Sequence, residues 1–241
     1  MARGSVSSRV ASLRDRHAGE RCVIVANGPS LNRMALGFLK REHVIGLNKI
    51  HLGIARFGFY PRYLVAVNPK VVRQSFDAIR ALNCVKFIGG RAARETGMTE
   101  DALTHIVDTD NPPGRFSTDL ALGMHEGWTV THAALQVAFH LGFVEVVLIG
   151  LDHRYTYQGE PNAEAVLDGP DPNHFSPGYF GHGQAWDHPD LERSEASYRE
   201  ARAHFERAGR RILDATVEGA CSVFDKTDYR AHFAVVSGPR S

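Results

Sequence analysis

The sequence predicts an α/β fold: a doubly wound, mainly parallel sheet carrying a long lid segment. Two observations lead there. Short β-branched runs alternate with amphipathic stretches, the order expected of strands joined by crossover helices. The runs themselves, such as "RCVIVA" and "EVVLIG", are apolar at nearly every position, and a strand of that kind is buried on both faces.

The elements follow in order. "RCVIVA" (21–26) predicts a first strand, then the turn "NGPS" and a helix over about 31–40. "HVIGLN" (43–48) predicts a second strand, followed by a short helical stretch around "IHLGIARFG", and "YLVAVN" (63–68) a third. "PKVVRQSFDAIRAL" after it has helical spacing; "CVKFIGG" (84–90) and "THIVDTD" (104–110) predict two more strands. In "VTHAALQVAFHLGF" (130–143) Ala134, Val137, Ala138 and Leu141 share a helical face, and Gly142 suits its stop. "EVVLIGLD" (145–152) is a sixth strand, "DLERSEASYREARAHFERAG" (190–209) a polar-faced helix and "RRILDAT" (210–216) a last strand.

A chain of 241 residues suits one substantial domain with a lid. We expect a flexible leader over 1–18, a single α/β domain over 19–230 with its lid at about 152–189, and a loose tail over 231–241. With 43% hydrophobic and 23% charged residues the composition is that of a soluble globular protein. Its net charge of +1 gives no nucleic-acid footprint. Cys22, Cys84 and Cys221 are too scattered for a disulfide framework or zinc ribbon, so a reducing cytoplasm is the expected location. No apolar run reaches the length of a transmembrane segment. "MARGSVSSRVASLRDRH" has no apolar core of a signal peptide, although its arginines could make peripheral contact with an anionic membrane. Apolar surface on the first helices could support a homo-oligomer.

Ligands of open α/β sheets bind beyond the carboxyl ends of the strands. The first three predicted strands end in Asn27, Asn48 and Asn68, and an amide offers both donor and acceptor to a nucleobase or sugar. Asparagine also simply favours turns. In "NGPSL", Gly28 would let a ligand approach the backbone, and Pro29 and Ser30 lead into a helix whose free N–H groups can hold an anion. The motif is neither of the standard glycine-rich phosphate loops. The sixth strand ends in Gly150-Leu151-Asp152.

Residues 152–188 show no helical or strand period, and long loops in compact domains are usually functional. The aromatics Tyr155, Tyr157, Phe175, Tyr179, Phe180 and Trp186 should pack this one down as a lid. It also holds His153, His174, His182 and His188. Their spacing matches no zinc motif, and no metal site is expected. A general base is the better role, and His174, stiffened by Pro172, is the best placed. "DTD" (108–110) could hold a divalent metal against a nucleotide diphosphate, but "NPPG" follows it as an ordinary turn.

"VIVANGPSL", "IGLNK", "AVNP", "GWTVTHAALQVAFHLGFVEVVLIGLDHRY", "PNHF" and "GYFGHG" together resemble two related bacterial groups. One is the family-42 sialyltransferases. The other, more similar over about 20–229, is the DUF115 group, which includes motility-associated glycosyltransferases and 6-hydroxymethylpterin diphosphokinase MptE-like proteins. The sialyltransferase resemblance implies a Rossmann-like, GT-A-like nucleotide-binding domain with a lid, a CMP-activated sugar donor and no required cofactor. It places Asn27 and Gly28 by the phosphate and ribose, Asn48 by the cytidine, Asn68 in the asparagine-proline pair and Thr129 facing the sugar carboxylate. The base would be His174, with His182 as a competing alignment. Two departures stand out. The family's threonine-serine-glycine is Thr129-Val130-Thr131 here, and Tyr155 and Tyr157 match its phosphate-holding tyrosines only roughly.

The implied function is a glycosyltransferase of bacterial surface glycan or flagellin, moving a CMP-nonulosonic acid onto a glycan or protein acceptor. The alternative is a diphosphokinase using ATP and Mg²⁺, with Asp108, Asp110, Asp152 and Asp171 as candidate ligands. A non-catalytic nucleotide-binding protein is the third class.

Overall fold

In the computed structural model, residues 8–181 and 183–234 are described. A turn of helix, α1 (Ser8–Ala11), precedes β1 (Arg21–Val25) and β2 (His43–Leu47). Then come α2 (Ile54–Phe57), β3 (Tyr63–Ala66), α3 (Pro69–Gln74), α4 (Phe76–Ala81), β4 (Val85–Gly89), α5 (Gly90–Thr96) and β5 (Thr104–Val107). The second half holds α6 (Val130–His140), β6 (Glu145–Ile149), β7 (Glu164–Val166), β8 (Ala185–Asp187), α7 (Leu191–Arg207), β9 (Arg211–Asp214), β10 (Asp225–Lys226) and α8 (Tyr229–Ala234).

Eight strands form one sheet in the order β10-β9-β6-β1-β2-β3-β4-β5, and all its pairings are parallel. The order reverses at β1: β2 to β5 extend to one side, β6, β9 and β10 to the other. The expected α/β fold is therefore present, with layers on both faces. Successive residues of β1 supply opposite layers. Cys22 and Ile24 pack with Ala134, Val137 and Ala138 of α6 and Phe205 of α7. Val23 and Val25 pack with Leu31, Leu39 and Val72, and with Phe175, Tyr179 and Trp186 of the lid. Those lid aromatics are almost wholly buried, each contributing about 1.5–3 kcal/mol by leaving water.

Several expectations need correcting. Residues 8–18, expected as part of a loose leader, are packed: Val10 and Leu13 are buried, and the Val10 carbonyl is 2.9 Å from His140 Nε2. The start of the expected tail, 231–234, completes α8 with Phe233 buried. The helix expected over 31–40 is two 3-10 segments, Pro29–Arg33 and Leu36–Arg41, the second containing Gly37. The stretch after β3 breaks at Ser75 into α3 and α4. The lid is not wholly irregular, since β7 and β8 pair antiparallel within it. Among the described residues no helix is long and apolar enough to cross a membrane, and all three cysteines are buried and free.

Candidate active site

A cavity of about 570 Å³ opens beyond the carboxyl ends of β2 to β6. Its floor is Asn48, Asn68 and Thr109, following β2, β3 and β5. The lid supplies Tyr155, His174, Tyr179 and Trp186, and the first turns of α6 and α7 supply Thr129, Val130, Asp190 and Leu191. Two helix starts thus meet one cavity, which favours an anionic ligand. Each is capped by its own side chain: Thr129 accepts from the Thr131 N–H at 3.3 Å, and Asp190 from the Arg193 N–H at 3.0 Å.

His174 is the best-defined group in this wall. Its Nδ1 lies 2.7 Å from Oδ2 of Asp171, and its ring stacks on Tyr179 at 3.9 Å with planes 2° apart. Among the described residues none bonds its Nε2. Asp171 is nearly inaccessible and also accepts the Asn173 N–H at 2.8 Å and the Phe180 N–H at 3.2 Å. Burial alone would raise its carboxyl, but the His174 bond, its charge and these amides hold it below the usual range. A carboxylate fixing Nδ1–H leaves Nε2 with a free lone pair, the form a general base needs.

Tyr155 lies with its ring 6.4 Å from that of His174. Its surroundings, first burial and then the charges of Asp152 and Asp171, push its hydroxyl up to about 12, so it stays a donor near neutrality. Asn48 holds left-handed backbone (φ 49°), which asparagine tolerates. Its Oδ1 is buried with no partner among the described residues, as is Nε1 of Trp186. Both residues line the cavity, and an unpaired buried acceptor and donor there are what a bound ligand would satisfy. Four charges of the cavity pair with one another: Arg91 with Glu126 at 2.7 Å, Lys70 with Asp187 at 2.5 Å.

Other expected site residues sit elsewhere. Asn27, Gly28, Pro29, Ser30, Asp152, Tyr157 and Thr131 do not line the cavity. The carboxylate of Asp152 accepts the Ser30 N–H at 3.0 Å and its hydroxyl at 2.6 Å, so the anion place expected after β1 is filled from within. Gly28 has extended backbone (φ −69°), and its close neighbour is Asp152, not a ligand. The Asn27 amide donates to Leu47 O at 3.1 Å, tying β1 to β2. Asn68 lines the cavity but caps α3, its Oδ1 accepting the Lys70 N–H at 2.8 Å, while its NH2 donates to Asp187 Oδ2 at 3.4 Å. Thr131 is buried within α6. Tyr157 donates to Pro189 O at 3.2 Å inside the lid. Asp108 and Asp110 are exposed while the alternate residues Thr109 and Asn111 line the cavity. His182 lies outside the described residues.

Two residues escaped the sequence reading. Asp171 was read only as a candidate metal ligand; the signal for its present place was D-P-N-H, a carboxylate three residues before the histidine. Lys49 is buried, and its Nζ donates to Tyr179 O at 2.5 Å, Gln74 Oε1 at 2.7 Å and Gln184 Oε1 at 2.8 Å. It also lies 4.6 Å over the Phe180 ring. Burial draws its ammonium down to about 8, opposed by the charge of Asp171. Lys49 latches the lid to the end of β2.

The fold has a solved counterpart, the MAf glycosyltransferase from Magnetospirillum magneticum AMB-1. The two share 14% identity at a TM-score of 0.55, over 93% of this chain and 38% of that one. This chain therefore spans under half the length of that structure. No curated protein matches the sequence. A family model does, over residues 3–158, and by that match the chain belongs to the 6-hydroxymethylpterin diphosphokinase MptE-like family.

Proposed function

We propose that the chain is a glycosyltransferase using a nucleotide-activated sugar, a CMP-nonulosonic acid in the first instance, with a glycan or protein acceptor. One observation carries this reading: a histidine with a carboxylate-fixed Nδ1 and a free Nε2 in the wall of a cavity that would hold a nucleotide sugar. In this mechanism the acceptor hydroxyl oxygen attacks the anomeric carbon while His174 Nε2 takes its proton. The bond from that carbon to the phosphate oxygen breaks, and the nucleotide leaves with the electron pair. The Tyr155 hydroxyl donates to the departing phosphate, stabilising charge as it develops. Asn48 Oδ1 would accept from the amino group of the base, and the closed lid would keep water from the donor. No cofactor enters these steps. The MAf glycosyltransferase fold supports transferase chemistry in general; the choice of CMP and of a nonulosonic acid rests on the sequence resemblance.

The family description favours a second reading, pyrophosphoryl transfer from ATP with Mg²⁺. Thermal melting with CMP, CDP, UDP, GDP and ATP, each in EDTA or in Mg²⁺, separates the two. A nucleotide at 100 times its Kd stabilises by about 2.7 kcal/mol. A rise with CMP or CDP that survives EDTA is the expected result. A rise with ATP in Mg²⁺ alone would put the diphosphokinase in its place, and no rise with any nucleotide would count against both.

A further inference from the structure

At the opposite, amino edge of the sheet a second cluster of chemistry-bearing side chains converges. His17 and Glu20 precede β1, and His43 opens β2. His17 Nδ1 is 2.5 Å and His43 Nε2 3.0 Å from the same oxygen of Glu20, and one ligand atom from each residue lies within 4.8 Å of the other two. From these we infer that His17, Glu20 and His43 form a site for a divalent transition metal, with Zn²⁺ as the natural occupant.

The donor set selects the ion. Two imidazoles and one carboxylate suit Zn²⁺ or its neighbours Co²⁺ and Ni²⁺, whereas Ca²⁺ and Mg²⁺ call for oxygen ligands. With zinc bonds of about 2.0–2.2 Å, tetrahedral ligand atoms sit about 3.3 Å apart. From 2.5 and 3.0 Å the Glu20 oxygen would move out to about 3.3 Å, and the two imidazole nitrogens, within 4.8 Å of each other, would close by at most about 1.5 Å. The movement falls on Glu20, whose side chain is half-exposed, and on the partly exposed His43, while His17 is fixed. The His17 ring is buried and stacks on Phe143 at 4.6 Å with planes 6° apart.

Its far nitrogen, Nε2, lies 2.7 Å from the Tyr63 hydroxyl. That partner orients the ring from outside the cluster, as outer-shell groups do for metal-binding histidines. A hydroxyl both donates and accepts. Without metal, Nδ1–H serves Glu20 and Nε2 accepts from Tyr63. With metal, Nδ1 gives its lone pair to the ion and Nε2–H donates to the same Tyr63 oxygen. The exposed side of Glu20 leaves a water as fourth ligand. Such an ion would clamp the segment entering β1 to the start of β2, which is a structural role on the sheet edge away from the cavity. The inference therefore stands independently of the transferase reading.

The test uses the full chain without a histidine tag. Metal content after dialysis and thermal melting in Zn²⁺ or Mg²⁺ are measured for the wild type, Glu20→Ala and His43→Ala. Both substituted residues are accessible enough for the variants to fold, and their melting in EDTA confirms it. The expected result is one bound Zn²⁺ per chain and a melting rise with Zn²⁺ and not Mg²⁺. Zinc affinity should fall by more than about tenfold in each variant. A wild type that retains no zinc and does not shift overturns the inference. So does a zinc shift of equal size in both variants, which would place the ion on others of the thirteen histidines.

Discussion

His174 Nδ1 and Asp171 Oδ2 lie 2.7 Å apart, and Asp171 is nearly inaccessible to solvent. The carboxylate accepts Nδ1–H, so the basic nitrogen is Nε2. An amide carries no charge and puts an NH2 where Oδ1 or Oδ2 accepts. It can no longer hold Nδ1–H and both backbone N–H groups, and the imidazolium formed in the reaction loses its counter-charge. Asp171→Asn should therefore lower turnover by roughly 10²–10⁴-fold, the usual worth of base catalysis. Nucleotide binding, read by melting, should be nearly unchanged. His174→Ala should behave the same way. Equal loss of binding and turnover in both variants would mean the pair only shapes the lid.

Among the bonds that tie the lid to the rest of the chain, that from Lys49 Nζ to Tyr179 O is buried. Lys49→Met keeps the length of the stem but leaves Tyr179 O, Gln74 Oε1 and Gln184 Oε1 without a donor. A buried group left unpaired costs about 1–3 kcal/mol. The expected result is a lower melting temperature and faster limited proteolysis within 152–189, with the remainder of the chain cut no faster. Uniform acceleration along the chain would show that Lys49 supports the whole fold instead.

The strands were legible because burial on both faces demands unbroken apolar runs: β6, "EVVLI", is buried at every position. Asn48 and His174 were legible because strand ends and a stiff, aromatic-rich loop are places where ligands bind. β10 left no signal, being two exposed residues, Asp225 and Lys226, attached to β9. Gly90 reads as the end of a strand yet opens α5. Lys49 was not legible as a latch because its partners Tyr179 and Gln184 lie 130 and 135 residues away. Asp152 was misjudged for the same reason, its partner Ser30 being 122 residues distant.

Gly28 illustrates how a correct residue can carry a different reason. A methyl group there would stand 1.9 Å from Oδ2 of Asp152 and 2.6 Å from the backbone oxygen of Gly150. The backbone dihedral is open to any residue, so the cost is steric. Gly28→Ala should destabilise by at least the 1–3 kcal/mol typical of overpacking, roughly. In an Asp152→Ala background the added cost should shrink but persist, because Gly150 O remains. A double-mutant cycle from urea unfolding measures that coupling, and strict additivity would refute the contact.

Acid should weaken the fold, and His132 is the main reason. Its Nε2 lies 2.8 Å from Arg115 O, while Nδ1 is buried with no partner among the described residues. Burial lowers its pKa from 6.5 to about 4. Between those values the unfolded chain binds the proton and the folded chain does not, so stability falls as pH drops from about 6.5 to about 4. Above that window the contribution is fully present; below it, none remains. A shift of this size is worth about 3 kcal/mol. His17, His51, His105, His140 and His153 are lowered by burial too and act in the same direction. His132→Gln can still donate to Arg115 O but does not titrate. Urea unfolding between about pH 7 and pH 4.5 should show a shallower loss of stability in this variant, by close to one proton at the steepest point. Parallel curves for variant and wild type would mean that His132 is protonated in the folded chain, and the acid sensitivity would then belong to the other histidines.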